Sequence, residues 1–152
     1  MKSFWKPFLT AACAVVMMTT FAAADTPGKH PAYLHALSDL RQARETLNYD
    51  TGSYRLNEDE RLAIEQIDTA IREVQEAAIG DGKPMRQHFD VDARLSHSDR
   101  LHQAMDLLKQ ARADIDQHES DSYTRGLKEQ ALHHIDMARK AVHDATKKQH
   151  KE

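Results

Sequence analysis

The chain has 152 residues, enough for one ordinary domain and not for two. Its 21 Lys and Arg against 24 Asp and Glu leave a formal charge of −3, a balance that excludes the strongly basic surface typical of nucleic-acid binders. Ten histidines are many for a chain of this size, whereas a single cysteine excludes a disulfide framework.

Residues 1–24 read as a cleavable secretory signal. Lys2 and Lys6 form a positive n-region, Phe8 to Met18 an apolar run, and Ala22-Ala23-Ala24 a small-residue cleavage site before Asp25. The run is too short for a stable membrane span. Thr10, not Leu, stands three residues before Cys13, which speaks against a lipoprotein signal. Cleavage removes Cys13, Trp5 and two lysines, so Lys plus Arg falls from 21 to 19 and the mature charge is 19 − 24 = −5. The expected product is a periplasmic or secreted protein of residues 25–152, not integral to a membrane and without cysteine ligands or nucleophiles.

Four amphipathic helices follow. After Pro31, which suits a first helical turn, Leu34, Leu37, Leu40 and Leu47 recur at helical spacing. Asn57 with Glu60 three residues later makes a capping box, and Ile64, Ile67, Ile71, Val74 and Ala78 form the second seam, which Gly80 is placed to stop. A third helix starting near Ser96 carries Leu101, Met105, Leu108 and Ile115. A fourth starting near Ser122 carries Ala131, Ile135, Ala138, Val142 and Ala145. No stretch has the alternation of a strand.

Shifting the chain by 68 residues superimposes its halves without a gap. Gln42-Ala43-Arg44 falls on Gln110-Ala111-Arg112, Ile67-Asp68 on Ile135-Asp136, and Arg41 on Lys109. Ala63, Ala70, Val74 and Ala77 fall on Ala131, Ala138, Val142 and Ala145. The expected fold is therefore all-α: an antiparallel four-helix bundle built from a duplicated helical hairpin. Hairpin 1 spans about 31–79, a linker 80–95, and hairpin 2 about 96–148. That linker allows either simple up-down-up-down topology or a crossover.

The stretch His30-Pro31-Ala32-Tyr33-Leu34-His35-Ala36-Leu37-Ser38-Asp39-Leu40-Arg41, with Ile67-Asp68 and Arg100-Leu101-His102 downstream, resembles a group of small exported bacterial helical-bundle proteins. The resemblance implies export and a bundle, and brings no activity with it. In architecture alone the bundle is similar to cytochrome-type and ferritin-like proteins and to small periplasmic stress chaperones. It lacks the Glu-x-x-His pairs of the ferritin-like proteins and the Leu-Thr-x-x-Gln repeats of those chaperones, and fold likeness does not transfer function.

The local feature with most chemistry is a repeated histidine pair, His30-x-x-x-Leu34-His35 and His97-x-x-x-Leu101-His102. Imidazole is the commonest transition-metal ligand. The second and fourth helices add Glu65-x-x-Asp68 and His133-x-x-Asp136, whose i, i+3 spacing sets both side chains on one face. With hairpin turns near 53 and 120, His35 comes level with about residue 71 and His102 with about 138 at ~1.5 Å per residue. Two hairpins lying in the same sense would then gather His35, Glu65, Asp68, His102, His133 and Asp136 into a site for a divalent transition metal. The competing reading gives the acids to Arg44 and Arg112, which are themselves repeated. Haem held with Met105 or Met137 is disfavoured, because the mature chain keeps only Phe89 and four tyrosines for a lining. No nucleophile elbow, phosphate loop or zinc-protease motif occurs. The sequence thus points to an exported binding protein rather than an enzyme, with a chaperone-like or structural envelope role as the alternative. A second copy or an envelope protein is the class of partner left open.

Overall fold

The computed structural model describes residues 31–49, 55–79, 91–92, 94–119 and 121–149. They form α1 (Pro31–Leu47), α2 (Glu58–Ala77), α3 (His97–Ile115) and α4 (Ser122–Gln149), with no strand among the described residues. The signal segment, Gly80 and most of the 80–95 linker lie outside them.

Helix starts follow the local chemistry. Asn57 Oδ1 accepts from the Glu60 N–H at 2.9 Å while Glu60 Oε2 accepts from the Asn57 N–H at 2.8 Å, a complete capping box. Glu58, Asp59 and Glu60 place acidic groups in the first turn, where the helix dipole favours them. Ser96 Oγ caps α3 by accepting from the Asp99 N–H at 3.1 Å. Asp121 Oδ1 accepts from the Thr124 N–H at 2.8 Å ahead of α4, whose last turn carries Lys147 and Lys148.

The helices stand around a square in the order α1, α2, α4, α3, with α2 packed most extensively on α4 and α1 on α3. The pairs α1/α4 and α2/α3 lie across the diagonals. Contacts at the two ends fix which termini meet. At one end the Tyr33 hydroxyl at the start of α1 donates to Glu119 just beyond α3, at 3.1 Å, and the Tyr123 hydroxyl at the start of α4 donates to Glu76 near the end of α2. At the other end Glu60 of α2, His97 at the start of α3 and Gln149 at the end of α4 come together. Lys148 Nζ pairs there with Asp59 at 2.5 Å, and the buried Arg100 guanidinium lies 5.7 Å from the centroid of the Tyr49 ring. Helices α2 and α3 therefore begin at the same end.

Leu40, Ile67, Val74, Leu101, Leu108, Ile115, Ile135 and Val142 are the large, fully buried apolar side chains. Between them lie alanines with no exposed surface, among them Ala43, Ala63, Ala70, Ala104, Ala111, Ala131, Ala138 and Ala145. Interhelical distance depends on the side chains at the contact, and alanine permits close approach. The stripe of α4 and the middle of the α2 stripe, Ile67, Ile71 and Val74, match the sequence pattern. Leu34, Ile64, Met105 and Ala78 are only partly buried, whereas Tyr33, Leu107 and Leu127 also pack inside. No described helix is long and apolar enough to cross a membrane.

Candidate functional site: a polar cleft beside α3 and α4

The six residues expected to share a metal are not brought together. His35, Glu65, His102 and His133 are exposed on α1, α2, α3 and α4 respectively. His35 lies in the opening turns of α1, at the end where α3 finishes, while His102 lies in the opening turns of α3 at the opposite end. His102 Nδ1 donates to the Ser98 carbonyl at 2.8 Å, and the His133 ring stands edge-on to that of His134, centroids 5.4 Å apart. Asp68 accepts from Arg44 Nη1 at 3.1 Å; Asp136 accepts from Arg112 Nε at 3.0 Å and Arg139 Nη1 at 2.8 Å. Among the described residues no three of His, Cys, Asp or Glu form a group able to hold a metal ion.

Two features of register account for this. The Arg44–Asp68 contact, carried along the hairpin, puts His35 level with about residue 77 rather than 71, which is ~13 Å along the helix from Asp68. The histidine pairs also recur at 67 residues, whereas the helices superimpose at 68. One residue is a rotation of about 100° on a helix, so His35 aligns with Gln103 and His102 with Leu34. The two imidazoles occupy different faces.

The structure instead assembles two polar clusters that spacing did not reveal. Between α2 and α4, His134 Nδ1 donates to Gln66 Oε1 at 2.7 Å, and its Nε2 lies 3.5 Å from Glu73 Oε1. Glu73 Oε2 is buried without a hydrogen-bond partner. Burial pushes the Glu73 carboxyl above its ordinary value, against the opposing pull of His134, Arg72 and His133. At the bundle end, Glu60 is buried with only 1% of its side chain exposed, and meets His97. The i, i+3 spacing points to His133 rather than its neighbour His134, and in the sequence Glu60 reads only as a helix cap.

A cleft of about 360 Å³ is lined by Lys109, Arg112 and Ala113 of α3 with Asp136 and Arg139 of α4. Asp136 sits between the two guanidiniums, which hold both of its oxygens. Arg112 Nη1 also reaches Asp116 at 3.3 Å, and Lys109 Nζ reaches Asp106 at 2.8 Å. Arg139 Nε is buried with no hydrogen-bond partner. Planar guanidinium forks of this kind match oxyanions. Comparison with known proteins finds no matching family model, curated protein or solved structure.

Proposed function

We propose that the chain is an exported binding protein rather than an enzyme, and that it meets its ligand at the polar cleft beside α3 and α4. The observation that carries this reading is a contrast. The middle of the bundle is filled by Leu, Ile, Val and close-packed Ala, while the cleft sets three cations around one carboxylate. The cleft is an open depression of about 360 Å³ on the bundle surface, into which polar groups converge from two helices. Export rests on Lys2, Lys6, the apolar run and Ala22-Ala23-Ala24.

The scaffold of this reading is an antiparallel four-helix bundle derived from a duplicated hairpin. Its support is the 68-residue register together with two ion pairs that recur in it, Arg44–Asp68 at 3.1 Å and Arg112–Asp136 at 3.0 Å. Gln66 and His134, themselves 68 apart, touch each other, as equivalent residues do beside a two-fold axis.

The test starts from the full chain expressed with its own leader. The exported fraction should hold a protein beginning at Asp25. A small-molecule ligand should raise its Tm by binding the folded state preferentially, a stabilisation of about 2.7 kcal/mol at a hundred times Kd. Zn²⁺, Cu²⁺ and Ni²⁺ belong in the same panel. A rise with a metal, lost in His35→Ala/His102→Ala, would return the site to the histidines; no rise with any compound would remove the binding reading.

A second reading draws on Ile79, 78% exposed, and Tyr123, 64% exposed, at the end where α2 finishes and α4 begins. Exposed apolar groups suit a chaperone-like or structural contact in the envelope. In that case the protein should slow aggregation of an unfolded client, and Ile79→Ser should weaken the effect.

A further inference from the structure

We infer that the cleft takes a small dianion whose two charges lie on oxygen, a phosphate ester or a dicarboxylate. The inference rests on the binding-protein reading and names the ligand class for its site. Charge is the first argument. Lys109, Arg112 and Arg139 bring three positive groups to the lining and Asp136 one negative. The carboxylate cannot neutralise all three, although both its oxygens are engaged. The other two acids in reach, Asp106 and Asp116, do not line the cleft and are 66% and 52% exposed. Ion pairs at such exposure are weak and readily exchanged, so Lys109 and the outer edge of Arg112 are available to a ligand.

Donor geometry is the second argument. A guanidinium has five N–H donors in a fixed fork. Arg139 spends Nη1 on Asp136 at 2.8 Å, and its Nε is buried with no partner. That Nε is closed off from the cleft, and the donors a ligand can reach are the unbonded Nη2 groups of Arg139 and Arg112. Arg112 uses Nε on Asp136 and Nη1 on Asp116. Asp136 thus acts as a spacer that holds two forks side by side, and Ala113, small and exposed, leaves the floor open.

The third argument is the difference between the hairpins. At a shift of 68, Arg41, Arg44 and Asp68 stand where Lys109, Arg112 and Asp136 stand, and the Arg–Asp pair is kept. Arg139, however, aligns with Ile71, a core residue only 7% exposed. The hairpin scaffold therefore does not require an arginine at this position. What Arg139 adds is the second fork.

The experiment titrates the purified full-length protein, by calorimetry at low ionic strength, with inorganic phosphate, succinate and acetate. Phosphate or succinate should bind at least tenfold more tightly than the monoanion acetate, and the tighter of the two identifies the source. Arg139→Ile, which writes the first hairpin's residue into the second, should weaken that binding at least tenfold. Arg139→Lys should recover part of it. Ala113→Glu, at an exposed position, should abolish it with an unchanged melting curve, and it decides the matter if Arg139→Ile does not fold. Equal affinity for acetate, no binding of either dianion, or binding untouched by both Arg139→Ile and Ala113→Glu would overturn the proposal. A ligand of another class raising Tm would leave the binding-protein reading standing while this one falls.

Discussion

Glu60 offers the sharpest test of how the bundle end is held. Its carboxylate closes the capping box on Asn57, at 2.8 Å, and meets His97 of α3 with 1% of the side chain exposed. Glu60→Ala removes a backbone acceptor worth ~0.5–1.5 kcal/mol and a hydrogen bond to an ionisable partner worth ~1.5–3 kcal/mol. The expected loss is about 2–4 kcal/mol. Asn57→Ala removes only the other half of the box, about 1 kcal/mol. With a urea m-value of ~1–3 kcal/mol/M, the Glu60→Ala midpoint should fall by about 0.7–4 M, read by circular dichroism at 222 nm and pH 7. Glu60→Gln keeps an acceptor for the Asn57 N–H and should fall between the two. Because Glu60 and His97 act through one contact, Glu60→Ala and His97→Ala should be non-additive by ~1 kcal/mol or more. A Glu60→Ala loss no larger than that of Asn57→Ala would mean that Glu60 is a helix cap and nothing else.

Three further outcomes are expected. Burial raises the Glu73 carboxyl above its ordinary value of 4.5, so its contribution to stability is full below that value and is lost as pH rises through the raised one; Glu73→Gln should therefore melt higher than the parent at pH 7, with the gap closing toward pH 4. A lower Tm at pH 7 would show that the His134 contact outweighs the burial cost. Ala138 has no exposed surface, and Ala138→Leu should cost about 1–3 kcal/mol by overpacking, whereas Leu108→Ala should cost about 2–5 kcal/mol by leaving a cavity; chemical denaturation separates these from a loosely packed core, in which both would be near neutral. Asp68, bonded to Arg44 with 41% of its side chain exposed, should lose less than about 1 kcal/mol as Asp68→Ala, and a larger loss would assign it a structural role beyond the ion pair.

Much of the fold was legible because the strongest signals are local. The Asn57/Glu60 box and the Ile67, Ile71, Val74 seam need only one helix to be understood, and the apolar positions of α4 are buried as their spacing implies. Tyr33, Ala104, Leu107 and Ala111 are core residues beyond the single stripe that spacing marks on α1 and α3, since a helix packed on two neighbours buries a wider face. The six residues expected at one depth are not gathered, for a tertiary reason. The expected depth assumed a turn near residue 53, and an error of a few residues at a turn doubles along the partner helix. The competing assignment of the acids to Arg44 and Arg112 was equally available in the sequence, and the salt bridges follow it.

The proposed duplication accounts for why repeated residues do not gather. In that reading a two-fold axis passes beside Gln66 and His134, which touch, and brings like to like only along its own line. For helices running in opposite directions, equivalent residues separate by about 3 Å for each position stepped away from the axis. Repeats near helix starts, such as the histidine pairs, are then driven to opposite ends, and only residues near the middle of α2 and α4, or of α1 and α3, can meet their equivalents. There the equivalents Ile67 and Ile135, and Ala70 and Ala138, are core residues without exposed surface. On the proposed duplication, a ligand site is expected where the two halves differ, because packing holds the buried positions alike. Ile71 against Arg139 is a divergence of that kind: one copy completes the core and the other turns a guanidinium toward a cleft.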